Sequence, residues 1–207
     1  MSTIITVATL FVIGSLFGWV LELFFRRFVS QKKWMNPGFL TGPYLPIYGF
    51  GVVVLYIISN IYLNIQNQFW DIVIRIIAIG IMMTLIEFIA GLIFIKGMGL
   101  KLWDYSNNFG NIMGIICPAF SLIWLVVGSL YYFLLNPTLV YAIDFINNNL
   151  AYSFFVGGVI GMIVVDTAYS IHLGIKIKQF KDQQGKRFED LKQALKQKTK
   201  ELLRIKK

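Results

Sequence analysis

Four ionisable side chains, Glu22, Arg75, Glu87 and Asp166, interrupt stretches that are otherwise apolar. A charge placed in hydrocarbon costs about 2.5 to 3.5 kcal/mol on insertion scales, so each needs a partner or a task. Arg75 lies toward the outer end of its segment, where it can snorkel or meet Asp71 one helical turn away, and either accounts for it. The three acids allow two readings. Set in a wet layer, they bind a cation, a proton or an amine. Paired with Arg26, Arg27 or tyrosine hydroxyls, they lock helices together. Glu22 and Arg26, four residues apart on one helix face, favour a local ion pair at that position.

Two polar segments belong with these acids. In residues 36–51, Pro37, Pro43 and Pro46 together with four glycines forbid a regular helix before about Ile47, and Tyr48 follows directly. At a membrane boundary such backbone must fold against protein or line a wet cavity. Residues 103–111 form an aromatic and amide cluster in which Trp103, Asp104, Tyr105 and Asn107 are placed to close over the acids. The plainer reading is an interfacial belt with Asp104 or Asn111 capping a helix. His172 and Cys117 are each the only residue of their type, and no second His or Cys stands at ligand spacing, so no metal site or cofactor is expected. Neither a phosphate-binding Gly-rich loop ending in Lys-Ser/Thr nor a Ser, His and acid arrangement is present, so no catalytic residue is assigned.

The elements that carry these residues follow from composition. At 57% hydrophobic, with 18 Phe, 10 Tyr and 5 Trp in 207 residues, the chain is unlike a soluble globule. Five apolar segments, 3–25, 44–66, 69–95, 112–135 and 151–175, are each long enough to cross hydrocarbon as a helix. The first lacks a basic leading segment and a small-residue cleavage site, and is read as a retained span. Arg26, Arg27, Lys32 and Lys33 follow the first segment, Lys96 and Lys101 follow the third, and a basic tail follows the fifth. The other two connections hold no Lys or Arg. This alternation predicts an outside N-terminus and an inside C-terminus in the cell membrane, with the acids toward the cytoplasmic half.

Residues 1–175 are thus expected to be an all-α, five-helix transmembrane domain. Residues 176–207, with twelve basic and four acidic side chains, are expected to be a cytoplasmic amphipathic helix that Gly185 separates from a juxtamembrane piece. Phe188, Leu191, Leu195, Leu202 and Ile205 form its apolar face, with Lys198 interrupting. Anionic lipid headgroups are its expected partner, although pairing with another helix is open. Nucleic acid is not, since no aromatic platform or binding motif accompanies the charge. Gly14 with Gly18, and Gly157 with Gly161, have the spacing that lets helix backbones approach.

The blocks Gly14, Gly18-Trp19, Glu22 and Arg26, then Gly38-Phe39-Leu40, Gly42-Pro43 and Pro46-Ile47-Tyr48-Gly49, then Trp103-Asp104-Tyr105-Ser106 resemble the bacterial membrane family called putative ABC-transporter type IV. The resemblance covers roughly residues 14–124. It implies a multi-span, permease-like protein whose ATPase, if it uses one, is a separate chain. Pro37 stands where a basic residue is expected before the Gly-Phe-Leu element.

The expectation is therefore a transport-related membrane subunit with a cytoplasm-facing polar cavity. Glu22, Glu87 and Asp166 would hold a substrate or ion, with Tyr48, Trp103, Asp104, Tyr105 and Asn107 lining it, while Arg26 and Arg27 serve structure. The rival is a non-transporting structural or regulatory membrane protein whose tail binds lipid or a partner. An inner-leaflet lipid enzyme is a third reading without a nucleophile. Substrate, direction, energy source and oligomeric state are left open.

Overall fold

The computed structural model describes residues 2–149 and 151–205; past residue 177 only some side chains are among them. Helices dominate, and among the described residues there is no strand, only an isolated antiparallel bridge between Ile112 and Ile116. In chain order the helices are α1 (Ser2–Phe25), α2 (Pro46–Asn60), α3 (Gln68–Ile93), α4 (Pro118–Leu130), α5 (Asn136–Asn148) and α6 (Ala151–Ile205). Single π-helical stretches extend α1 (Arg26–Ser30) and α3 (Phe94–Met98), and another (Tyr131–Leu135) joins α4 to α5. Four helices are long and apolar enough to cross a membrane: Thr3–Ser30, Gln68–Met98, Pro118–Asn148 and Ala151–Ile177. Their outer faces carry Phe17, Ile81, Leu122 and Val165, all more than 60% exposed. Lipid is as apolar as these side chains, so the bundle is held by interior packing and polar contacts rather than by apolar burial.

Local chemistry sets the boundaries. Leu45 is extended (φ −124°, ψ 98°) and Pro46 takes the first helical position of α2, where its missing N–H costs nothing. The Asn67 side chain caps α3 by accepting from the backbone N–H of Phe69 and Trp70. Gly99, at φ +64°, closes the π-helical stretch after α3. Cys117 is extended and Pro118 opens α4.

Three expectations need revision. The second apolar segment forms a helix over only 15 residues, Pro46–Asn60, about 22 Å of rise against some 30 Å of hydrocarbon. Its remainder, 61–66, is irregular. The fourth segment does not begin at Ile112. Gly110 and Gly114 at φ +65° and +68°, with Met113 at +57°, bend 110–117 into a loop, and the helix then runs on through the expected connection to Asn148. Gly185 does not break the tail, because α6 is one helix of 55 residues. A single helical Gly costs only about 1 kcal/mol relative to Ala. The side chains of Leu191, Leu195, Lys198, Leu202 and Ile205, assigned above to an amphipathic face, lie outside the described residues.

The most extensive pairing joins α1 to α2. A Cβ on Gly18 would sit 2.2 Å from Tyr48 Cβ, so only glycine lets α2 approach this closely. Gly157 and Gly161 meet nothing within 4 Å. Elsewhere Leu55, Ile79, Met83 and Tyr131 form one apolar cluster between α2, α3 and the π-helical join, and Leu40, Tyr44 and Ile163 form another beside α6. Met98 and Phe39 both lie against Gly174, which brings the extended end of α3 against α6 near the close of its apolar stretch. Arg26, Lys96 and Lys176 thus share one end of the bundle, the basic end.

Candidate functional site

Counted along its own helix, Glu22 lies about 6 Å inside the basic end, whereas Glu87 and Asp166 lie about 13 and 15 Å inside it. Two irregular segments reach these depths. Leu45 donates its backbone N–H to Ser15 O in the middle of α1, at 2.9 Å. Residues 36–45 therefore form a strap that enters the bundle, and α2 is short because it starts inside. The loop between α3 and α4 also folds inward. Gly91 has no side chain, and Ile115, 1% exposed, packs where its Cβ would be. Trp103 Nε1 donates to Ile115 O at 2.8 Å, and the Tyr105 hydroxyl reaches Glu87. Non-helical backbone at this depth is tolerated where protein covers it or water wets it.

Each acid has its own set of donors. Glu22 Oε2 accepts from the Tyr48 hydroxyl at 2.9 Å, and Oε1 lies 3.2 Å from Arg26 Nε. Glu87, 6% exposed, accepts from Tyr105 Oη at 2.9 Å and Trp124 Nε1 at 3.0 Å. Asp166 accepts five hydrogen bonds. Thr41 N, Thr41 Oγ1 and Ser170 Oγ donate to Oδ1 at 3.2, 2.8 and 3.0 Å, and Gly42 N and Tyr44 Oη donate to Oδ2, each at 2.8 Å. Among the described residues the three carboxylates share no hydrogen-bond partner. Tyr48 is within electrostatic reach of Glu87 as well as Glu22, and Tyr105 of Tyr48, so these two acids and two tyrosines form one polar layer that spans from about 6 to about 13 Å inside the basic end. Asp166 stands apart, facing the strap.

The remaining residues singled out in the sequence are distributed around this layer. Trp103 pins the loop through Ile115. Asp104 is exposed, binds Lys101 Nζ at 3.3 Å and accepts from Ser106 N at 3.0 Å and from its hydroxyl. These bonds, chiefly that from the Ser106 hydroxyl, hold its carboxyl below the usual carboxylate range. Asn107 is exposed on the same loop. Arg27 pairs with no acid among the described residues; it donates to Lys32 O at 2.7 Å and lies over Trp34 and Phe28. Arg75 joins Asp71 at 2.7 Å and reaches the free carbonyls of Ile58 and Ile61 at the end of α2. Cys117 is buried with Asn108 Nδ2 at 3.4 Å from its sulfur, and His172 is exposed. Among the described residues no group of three His, Cys, Asp or Glu could hold a metal ion.

Sequence reading missed Trp124, Thr41, Gly42, Tyr44 and Ser170 as partners of the acids. Ser170 had a signal, since it follows Asp166 by one turn on the same face. The strap donors are 122 to 125 residues from Asp166 and had none.

A helical bundle with acids buried inside its apolar helices defines a polytopic membrane protein. The family model described as Putative ABC-transporter type IV matches residues 9–171, and the chain belongs to that family. The match takes in all three acids and leaves the basic extension of α6 outside. No curated protein and no solved structure matches the chain.

Proposed function

We propose that this chain is a permease-like subunit of the cell membrane, with Glu87 as its exchangeable binding site. One observation carries the reading. Glu87 is a buried carboxylate midway along an apolar helix, its hydrogen-bond donors are the neutral Tyr105 and Trp124, and no Lys, Arg or His among the described residues forms an ion pair with it. A buried carboxylate without a fixed counter-charge needs a proton or a mobile cation to neutralise it. The substrate class is therefore a proton, a small cation or an amine. Glu22 and Tyr48 lead from Glu87 toward the basic end, Tyr105 and Trp103 close the layer from the loop, and the strap is the movable part. In this reading the short α2 and its strap together make the fifth crossing, the basic end faces the cytoplasm, and any ATPase comes from another chain.

Charge movement in proteoliposomes on a solid-supported membrane tests this. Jumps in pH, Na⁺, K⁺ or methylammonium are expected to give a transient current in the wild type. Glu87→Gln should abolish it at unchanged membrane yield. Equal currents from the two proteins would end the proposal.

The donor sets of Glu22 and Asp166 favour a second reading, in which the acids only hold helices together and the basic extension recruits lipid or a partner. There, acid substitutions lower folding yield, and truncation after residue 175 removes function.

A further inference from the structure

We infer that Asp166 is the clasp of the strap rather than a second ligand-binding carboxylate, and that undoing this clasp opens the basic end of the bundle. A carboxylate offers about four lone-pair sites, and Asp166 already accepts five hydrogen bonds, so a ligand cannot reach it without displacing the strap. Four of the five come from three neighbouring strap residues, Thr41, Gly42 and Tyr44; only that from Ser170 is internal to α6. Leu40 and Tyr44 also pack on Ile163, and Phe39 lies against Gly174, but among the described residues the strap's other polar ties are two. At one end, Asn36 Oδ1 accepts from Trp19 Nε1 at 2.9 Å. At the other, Leu45 N–H is bonded to Ser15 O. Both of those ties are to α1, so Asp166 supplies the polar tie between strap and α6.

The strap contains no regular element between 36 and 45, so it can swing away without unwinding a helix. Its release would expose the amides of Thr41 and Gly42, and Asp166 itself, about 15 Å inside the basic end. Closed, the acid is saturated; open, it becomes an anionic site in a wet cleft beside α1.

Asparagine is a stringent probe. Thr41 N–H points at one carboxylate oxygen and Gly42 N–H at the other, so both positions must be acceptors. An amide supplies one acceptor and one donor, and whichever way it is turned a backbone N–H faces an NH₂ group.

The test is hydrogen–deuterium exchange of the full chain in lipid nanodiscs, read by mass spectrometry. Asp166→Asn is expected to speed exchange at Thr41 and Gly42 roughly tenfold, the effect of losing a buried hydrogen bond. Peptides from the middle of α1 and α4 should be unchanged. Unaltered exchange in the strap would overturn the inference. So would acceleration spread evenly over α1 and α4, which would make Asp166 a support of the whole fold. If Asp166→Asn yields no folded protein, Tyr44→Phe keeps the ring and removes one tie. It should then accelerate strap exchange by a few-fold, and wild-type exchange in it would equally refute the clasp. The use made of the opening rests on the permease reading, but exchange is measured without transport. Loss of the Glu87 currents and failure of the clasp are therefore separate results.

Discussion

At Gly18 a missing methyl group decides where Tyr48 sits, and Tyr48 decides how Glu22 is satisfied. The nearest atoms to a Cβ there are Tyr48 Cβ, Cγ and Cδ1, all within 2.8 Å, and the first two are near the root of the side chain, where it cannot swing aside. Gly18→Ala is expected to push α2 away from α1, break the Tyr48–Glu22 bond and cost about 1 to 3 kcal/mol, the usual range for overpacking. Thermal unfolding in detergent micelles measures it; an unchanged midpoint would mean that the helices separate freely here. The acids themselves could be found from the cost of burying charge alone, and so could the Gly14–Gly18 seam. Their partners could not. Trp124 looks like any aromatic in an apolar run, and the two strap amides are backbone, which no pattern of residue types reveals.

Among elements, the loop after α3 shows how polar side chains replace regular structure. Asp104 gathers Lys101 and Ser106 around one carboxylate at its outer edge, while Trp103 and Tyr105 point inward. Because this carboxyl titrates lower in the folded chain than in the unfolded one, its contribution is fully present above the unfolded value, about 3.9, and is lost as pH falls through the lower folded value. Asp104→Asn should therefore lower the unfolding midpoint relative to wild type at pH 7. The two proteins should converge as the pH is brought below the usual carboxylate range. A gap that stays constant with pH would assign the effect to shape rather than charge. Hydropathy alone reads 112–135 as one span and carries the second segment to Gln66. The turn at 110–117 depends on three positive φ angles, and the inner start of α2 on a hydrogen bond to Ser15. Both are tertiary facts written over an apolar pattern.

For the molecule as a whole, helical class and apolarity were legible because hydrocarbon admits so few backbone structures; the number of long spans was not, four helices among the described residues reaching that length where five were expected. Nor was the depth of the strap and of the loop after α3, since each dips inward through tertiary hydrogen bonds. The orientation proposed here predicts that in a Cys117→Ser background a cysteine at Lys33 reacts with an impermeant maleimide only after cells are opened. A cysteine at Asn64, in the connection without basic residues, should react in intact cells. The opposite pattern would invert the topology and put the strap on the other side of the membrane.

Thr41 and Asp166 are separated by 125 residues, which has a consequence for biosynthesis. At 5 to 20 residues per second, roughly 6 to 25 s pass between translation of Thr41 and of Asp166. During that interval the Gly- and Pro-rich stretch before Pro46 has no acid to receive its amides. The nascent chain therefore carries an unfinished site that only its last apolar helix completes.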